Sequence, residues 1–324
     1  MEGSPGRKGR TQGRSMNRRS DPTFSIDFEG KRSTDLPINL SQTSILPVVF
    51  IQGDKMRSVG TCFSISNHGL CMTAKHVIED IPTTGSLNDE GHLLVDGTLG
   101  ALYISPDPPE DGSSDLMGGF IPMSTATSLN ELDIALMHLQ LPVHTDTGEY
   151  LPFPLQRLKL DFPRQGDRLI AFGYEKGEWT FNEGGVHTLS QTFTAATGFA
   201  SDVFPQGRDR SFMSPCFQTS VPFEGGMSGG PVISEDGQVI GVISKGFKLL
   251  GDEEPISYAV PIAPSMGISL AGVGANGEQS KLFLWDFAEG GAIKVDRGNA
   301  RVTRNGQSLL IEAAQGRYHT TLGQ

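Results

Sequence analysis

The chain has 324 residues, of which 37% are hydrophobic and 19% are charged, and its formal net charge is −11 at pH 7. This size and composition are typical of a globular protein with one large core or two moderate ones. The negative charge argues against a broad nucleic-acid or anionic-membrane surface, because both need positive potential. No apolar stretch of the sequence reaches the length of a transmembrane helix.

The N-terminal segment is basic and polar, and no apolar run follows its arginines. Such a segment cannot bury enough surface to offset the entropy of ordering, so residues 1–40 are predicted to be a disordered tail. No secretory signal is visible in it, and three cysteines are too few for a disulfide framework. We therefore expect a cytoplasmic protein with no membrane partner. We expect no nucleic-acid partner beyond weak contact by this tail.

Glycine and proline are abundant, at 41 and 20 residues, and the apolar runs are short and broken by turn signals. This pattern favours many strands over few helices, so the fold class is predicted to be all-β. The first strands are expected at 45–51 and 60–66, and the turn at 67–69 leads into a third at 70–74. Residues 105–128 are rich in proline and glycine and are predicted to be a surface insertion rather than core.

A second group of strands follows later in the chain. These strands are predicted at 168–173, 216–219, 232–233 and 239–243. The Asp-Gly pair at 236–237 is typical of the turn of a hairpin, here between the last two strands. Two β units of similar size are therefore predicted, at about 41–150 and 165–265. Residues 273–324 are predicted to be a linker and a small C-terminal β extension.

Three separate segments each carry a reactive side chain. Ser228 lies among glycines, which permit a strained turn and let backbone N–H groups converge where a tetrahedral oxyanion would form. His76 follows a strand predicted to be buried. Asp133 lies inside an apolar run, where a carboxylate is costly unless it is hydrogen-bonded, so it needs a partner.

Taken singly, the three residues also fit a tight turn, a surface histidine and a helix cap. Together, in the order His, Asp, Ser along one chain, they predict a catalytic triad.

The sequence around these residues resembles the trypsin-like peptidases, and in particular the protease domain of the HtrA/Deg group. The resemblance covers roughly residues 45–270 and rests on segments 60–63, 73–77, 133–136, 218–219, 226–231, 241–244 and 256–261. It implies two Greek-key β-barrels of the chymotrypsin type, with the active site in the cleft between them, in a protease domain at 41–272. HtrA proteins usually continue into a PDZ domain, for which residues 273–324 are too short.

The resemblance also implies the chemistry. The chain would be a serine endopeptidase that acts on polypeptide substrates and needs no metal or organic cofactor. Ser228 would attack the peptide carbonyl, His76 would take and return the proton, and Asp133 would orient the imidazole. The backbone N–H groups of Gly226 and Ser228 would form the oxyanion hole.

By the same alignment, the substrate pocket involves two segments. Where relatives that select basic side chains carry a carboxylate, this chain has Pro222, followed by Phe223. Ser244, Lys245 and Gly246 would form one wall. The absence of a carboxylate at this position, with a lysine nearby, predicts cleavage after uncharged, small to medium apolar residues rather than after Arg or Lys. Glu224 of the same loop is the alternative, since its carboxylate would favour a basic residue if it turned into the pocket.

Two alternative functions fit parts of this pattern. A protease fold can be a catalytically silent binding or scaffold module, which labelling with a serine-reactive probe would reveal. Segment 226–230 also fits the nucleophile elbow of α/β-hydrolase esterases, but that motif needs a helix after the serine, and a hairpin is predicted here. Cys62, Cys71 and Cys216 lack the paired spacing of a zinc site and are predicted to be buried apolar thiols.

Overall fold

A computed structural model describes most of the chain. The described residues are 24–32, 44–81, 83–87, 93–95, 97–104, 116–141, 154–181, 187–210, 212–247, 255–273, 279–313 and 315–322. Within them lie 23 strands, two α-helices and a 3-10 helix, so the fold is nearly all-β. None of the helices in these ranges has the length and hydrophobicity needed to cross a bilayer.

The strands are numbered along the chain. The strands before residue 150 are β1 (Phe24–Arg32), β2 (Ile45–Gln52), β3 (Lys55–Ser64), β4 (Leu70–Thr73), β5 (Thr83–Leu87), β6 (Leu93–Val95), β7 (Thr98–Ile104), β8 (Leu116–Ser128) and β9 (Ala135–Leu139). The next eight are β10 (Leu158–Lys159), β11 (Arg168–Tyr174), β12 (Glu178–Phe181), β13 (His187–Phe204), β14 (Cys216–Thr219), β15 (Pro231–Ser234), β16 (Val239–Phe247) and β17 (Ile256–Pro261).

The remaining elements belong mostly to the C-terminal part. The strands are β18 (Ser269–Val273), β19 (Gln279–Phe283), β20 (Val295–Asp296), β21 (Arg301–Asn305), β22 (Ser308–Ala313) and β23 (Gly316–Thr321). The helices are α1 (Lys75–Glu79), the 3-10 helix Ala263–Gly267 and α2 (Leu284–Glu289).

Six antiparallel strands close the first barrel. Its order is β7-β2-β3-β4-β9-β8, and β8 returns to pair with β7. The strands form where apolar side chains alternate or run together, and β2 and β4 are buried along most of their length. The first barrel carries His76 just after β4 and Asp133 just before β9.

The second barrel is also closed by six antiparallel strands. Its order is β11-β15-β16-β17-β14-β13, and β13 returns to pair with β11. The hairpin of β15 and β16 turns at Gly237, whose φ of 77° favours glycine. Ser228 lies in the loop that enters β15, so the second barrel carries the serine.

The C-terminal part forms its own small sheets and also adds to the barrels. The strands β21, β22 and β23 form a three-stranded antiparallel sheet. The short β20 pairs in parallel with β10, which in turn pairs with β16 of the second barrel. Trp285, Ile293, Leu309 and Ile311 belong to the same buried cluster as the first-barrel residue Met72.

The predicted all-β fold with two barrels is confirmed, and the strands predicted near residues 45, 60, 70, 168, 216, 232 and 239 are all present. The prediction of a surface insertion at 105–128 is wrong for β8, which closes the first barrel against β7 and β9. Pairing on both sides outweighs the weak strand propensity of its glycines and proline. Residues 105–115 lie outside the described residues.

The predicted tail, residues 1–40, is described only at β1. In place of the predicted disorder, β1 is a strand that pairs in parallel with β13 and in antiparallel with β8. The domain boundaries at 41 and 272 stay predictions.

Candidate active site

His76 and Asp133 are placed by the first barrel. The strand β4 ends at Thr73, and the five-residue helix α1 then carries His76 in its only turn. Asp133 lies in the short connection from β8 to β9, and its neighbours Leu132 and Ile134 are both buried. These two apolar side chains anchor the connection in the core on either side of the carboxylate.

The imidazole of His76 is held by the carboxylate of Asp133. Nδ1 of His76 lies 3.0 Å from both carboxylate oxygens, and the backbone N–H of His76 donates to Oδ1 at 3.1 Å. The hydroxyl of Ser244 donates to Oδ2 at 2.5 Å. An ionised carboxylate only accepts hydrogen bonds, so the proton of the neutral imidazole lies on Nδ1. Nε2 is then left unprotonated and able to act as a base.

The environment moves both pKa values. Burial raises the pKa of Asp133, but hydrogen bonds from His76 and Ser244 and the nearby imidazole lower it more, so its pKa lies below its ordinary value. Burial lowers the pKa of His76, but the hydrogen bond and charge of Asp133 raise it more, so its pKa lies above 6.5. Asp133 is therefore ionised at neutral pH, and it favours the imidazolium form of His76.

Ser228 reaches the same cluster through Ser244. Its Oγ donates to the carbonyl oxygen of Ser244 at 3.2 Å, whereas the hydroxyl of Ser244 donates to Asp133. Within the described residues, no hydrogen bond joins Oγ of Ser228 to His76. The structure therefore brings His76, Asp133 and Ser228 together, with the serine hydroxyl turned to a neighbouring carbonyl.

The backbone conformation of the loop around Ser228 requires glycine at two positions. Gly226 and Gly229 have φ values of 97° and 88°, a region that side chains rarely adopt. The N–H of Lys176 donates to the carbonyl of Gly225 at 2.6 Å, which fixes the peptide plane before Gly226. Among the described residues, the amides of Gly226 and Ser228 have no acceptor, so two donors are left for a ligand.

Thr61 of β3 ties this loop to the first barrel. Its N–H donates to the carbonyl of Ser228 at 2.8 Å, and its hydroxyl donates to the carbonyl of Gly226 at 3.0 Å. The same hydroxyl accepts the N–H of Tyr174 at 2.9 Å. A single buried threonine thus links both barrels at the serine loop.

The five residues predicted for the substrate pocket have different surroundings. A Cβ on Gly246 would lie 2.5 Å from the carbonyl oxygen of Phe223, so these two residues are in close contact. Lys245 is exposed, with Nζ 5.2 Å from the centre of the Phe212 ring. The side chain of Ser244 is buried and bonded to Asp133, and Pro222 is half-buried.

The three cysteines are buried free thiols. A hydrogen bond with Cys71, together with burial, raises the pKa of Cys62. Burial raises the pKa of Cys216 to about 11. Thiols held in this protonated form are poor nucleophiles.

Two residues that hold the site were not predicted from the sequence. Thr61 is part of a predicted motif without a role of its own, and Ser214 carries no predicted role, although its hydroxyl accepts the N–H of Asp133 at 3.2 Å. Ser244 is predicted as part of the pocket wall, not as a partner of Asp133. No local signal marks Ser214 or Ser244, because each meets Asp133 across the two barrels.

Two closed β-barrels with His76, Asp133 and Ser228 between them define the class of trypsin-like serine peptidases. The chain belongs to this family, since residues 60–242 match the trypsin-like peptidase domain. The predicted family is confirmed.

Curated relatives are probable periplasmic serine endoproteases described as DegP-like. The chain is 27% identical to that of Pseudomonas fluorescens over 223 residues, which are 67% of this chain and 36% of the relative. It is 32% identical to that of Halomonas elongata over 248 residues, which are 76% of this chain and 41% of the relative. The chain thus spans about two-fifths of the length of these relatives.

Similar solved structures are also proteases. The apo MamO protease domain of Magnetospirillum magneticum has a TM-score of 0.43 and 13% identity, over 69% of this chain and 94% of that one. The active form of the Rv3671c protease of M. tuberculosis has a TM-score of 0.43 and 16% identity, over 71% of this chain and 84% of that one.

Proposed function

We propose that the chain is a serine endopeptidase that hydrolyses peptide bonds through an acyl-enzyme on Ser228. The observation that carries this proposal is the hydrogen-bonded pair of His76 and Asp133, with Nδ1 3.0 Å from the carboxylate. Ser244 links this pair to Ser228, which lies in a glycine loop. Its substrates are polypeptides, and the chemistry requires no metal or organic cofactor.

The reaction begins with a rotation of the serine hydroxyl. In the resting arrangement the proton of Ser228 points to the carbonyl of Ser244. In the proposed reaction, rotation about the Cα–Cβ bond would transfer this hydrogen bond to Nε2 of His76, which is unprotonated. As Oγ bonds to the substrate carbonyl carbon, Nε2 takes the proton, and Asp133 stabilises the imidazolium that forms.

The carbonyl oxygen of the substrate becomes an oxyanion in this step. The free amides of Gly226 and Ser228 would receive it, and each such donor contributes roughly 3 to 4 kcal/mol in related chemistry. Collapse of the intermediate breaks the C–N bond, and His76 returns its proton to the leaving amine. Water then attacks the acyl-enzyme in the same way, which releases the acid and regenerates Ser228.

Labelling with a fluorophosphonate tests this function. The full chain should be labelled, and Ser228→Ala should remove both the label and the cleavage of an unfolded protein substrate. Ser124→Ala is a matched control, because Oγ of Ser124 lies 2.9 Å from Nδ1 of His138 on the surface of β8, without a carboxylate or a glycine loop. Folded protein without Ser228-dependent labelling would instead identify a catalytically silent scaffold.

The predicted pocket residues are expected to select the substrate residue before the scissile bond. Gly246 lies against the main chain of Phe223, so these two predicted pocket residues are neighbours, and Lys245 is close enough to His76 to lower its pKa. A basic side chain would meet this positive charge without a carboxylate at Pro222 to pair with. A peptide library should therefore show cleavage after uncharged, small to medium apolar residues. A profile dominated by Arg or Lys would contradict this.

The esterase alternative does not fit the observed fold. The nucleophile elbow of an α/β-hydrolase requires a helix directly after the serine. Here β15 follows Ser228, as part of a closed antiparallel barrel.

We also propose a cytoplasmic location, supported by three buried cysteines that remain thiols. The curated relatives are named as periplasmic. Fractionation of the producing cells, with the full chain followed by immunoblotting, should place it with soluble cytoplasmic markers. Release with the periplasmic fraction would contradict the proposal.

A further inference from the structure

One loop of the second barrel reaches across to Asp133. This loop, residues 205–215, joins β13 to β14 and is hereafter called the bridging loop. Oγ of Ser214, near its end, accepts the backbone N–H of Asp133 at 3.2 Å. The contact joins the two barrels at the residue that holds the imidazole.

The bridging loop is braced at its base. Gly207 has a φ of 84°, and a Cβ there would lie 2.4 Å from the carbonyl oxygen of Met213, so the backbone folds tightly at this point. Arg208 donates from its backbone to the carbonyl of Phe212 at 2.8 Å. Its guanidinium bonds to the hydroxyl of Tyr258 and lies 5.1 Å from the centre of that ring. The loop can therefore present the hydroxyl of Ser214 at a defined place.

Asp133 is held in two different ways. His76 and Ser244 bond its carboxylate, whereas Ser214 bonds its main chain. Bonds to the carboxylate fix its direction only if the main chain that carries it stays in place. The hydroxyl of Ser214 supplies that second constraint.

The packing beside this bond is open on one side. A cleft of about 480 Å³ lies beside it, lined by Leu132 next to Asp133 and by Met213 and Pro215 on either side of Ser214. The side chain of Met213 is 77% exposed, so it does not fill the gap. Leu132 and Ile134 anchor the segment from the core, so removing the hydroxyl would release the main chain of Asp133 only on the side that faces the cleft.

We propose that Ser214 is a positioning residue, whose hydroxyl fixes the main chain of Asp133 and thereby directs its carboxylate at Nδ1 of His76. The catalytic consequence of this role rests on the proposed function. Small displacements of aligned groups can cost roughly 100-fold in rate. Loss of the hydroxyl is therefore expected to slow acylation by roughly 10- to 100-fold.

The titration of His76 reports this positioning without any need for turnover. The charged groups that act on His76 are Asp133 and Asp80, which raise its pKa, and Lys245, which lowers it. Burial also lowers the pKa. If Asp133 moves away, burial and Lys245 remain, so the pKa of His76 falls.

The experiment follows the ring protons of His76 by NMR against pH, in the full chain carrying Ser228→Ala. Ser214→Ala should lower the pKa of His76, and Ser214→Thr, which keeps a hydroxyl, should restore it. Ser66→Ala is the matched control, since Ser66 also accepts backbone N–H groups, at 3.1 and 3.3 Å, but in the turn before β4. That change should lower stability without moving the titration. If Ser214→Ala does not fold, the nearly isosteric Ser214→Cys takes its place.

The labelling rate separates the two proposals. With Ser228 intact, Ser214→Ala should slow fluorophosphonate labelling by roughly 10- to 100-fold. An unchanged titration of His76 in folded Ser214→Ala overturns the positioning role, whether or not the wild type labels. A lowered pKa in a chain that never labels supports the positioning role and contradicts the proposed function.

Discussion

At the scale of single residues, the pairing of His76 with Asp133 sets the pH range of activity. The base must be neutral to accept the serine proton, so activity falls as the pH drops through the pKa of His76. Because Asp133 raises this pKa above 6.5, the acidic limb of kcat/KM should have its midpoint above that pH. A pH profile of peptide cleavage measures it, and a midpoint at or below 6.5 would contradict the assignment.

Asp133→Asn should change both the acidic limb of the pH profile and the rate of peptide cleavage. The amide removes the charge that raises the pKa of His76, so the acidic limb should move to lower pH. The amide can also donate to Nδ1 and favour the wrong tautomer, a change that costs about 10⁴-fold in kcat in a triad. Steady-state kinetics check this, and a variant within tenfold of the wild type would exclude Asp133 as the orienting residue.

The hydroxyl of Thr61 is expected to affect both stability and activity. Thr61→Val keeps the shape of the side chain but removes the hydroxyl that donates to the carbonyl of Gly226 and accepts the N–H of Tyr174. A buried carbonyl that loses its hydrogen bond, here that of Gly226, costs about 1–3 kcal/mol, so urea unfolding should show a loss of that order. kcat/KM should also fall, because Gly226 loses a fixed orientation. Thr61→Ser, which keeps the hydroxyl, should behave like the wild type in both measurements.

At the scale of elements, the close approach of the serine loop to β3 and β4 requires Gly229. A Cβ there would lie 2.1 Å from the carbonyl of Thr61 and from Oγ1 of Thr73. Gly229→Ala should therefore displace the loop and abolish labelling of Ser228. Gly237→Ala is the control, since its φ is also positive but nothing lies within 4 Å of the added methyl. Its cost should be only about 1–2 kcal/mol by urea unfolding, with labelling retained.

At the scale of the whole molecule, the C-terminal extension is part of the core rather than an appendage. Trp285 and Leu309 are buried with first-barrel residues, and β20 adds to β10. Trp285→Ala should cost about 3–5 kcal/mol in urea unfolding, as for other buried aromatic truncations. Arg301→Ala, at an exposed residue of β21, should leave the midpoint nearly unchanged. Equal urea midpoints for the two variants would show that the extension contributes little to the stability of the fold.

The sequence by itself determined the features that depend on neighbours along the chain. Alternating apolar residues and turn signals located β2, β4, β14 and the hairpin of β15 and β16, because these patterns are local. The glycines around Ser228 and the apolar run around Asp133 marked two members of the candidate site in the same way. The all-β class followed from these local patterns, whereas the two-barrel fold and the family followed from the resemblance to the trypsin-like peptidases.

Only the tertiary structure decided which distant groups meet. The strand β8 looked like a loop because its pairing partners, not its own residues, stabilise it as a strand. Thr61, Ser214 and Ser244 reach the site through hydrogen bonds between the two barrels. Those bonds depend on how one barrel is placed against the other. That placement comes from burial and register over the whole chain, for which no short stretch of sequence carries a signal.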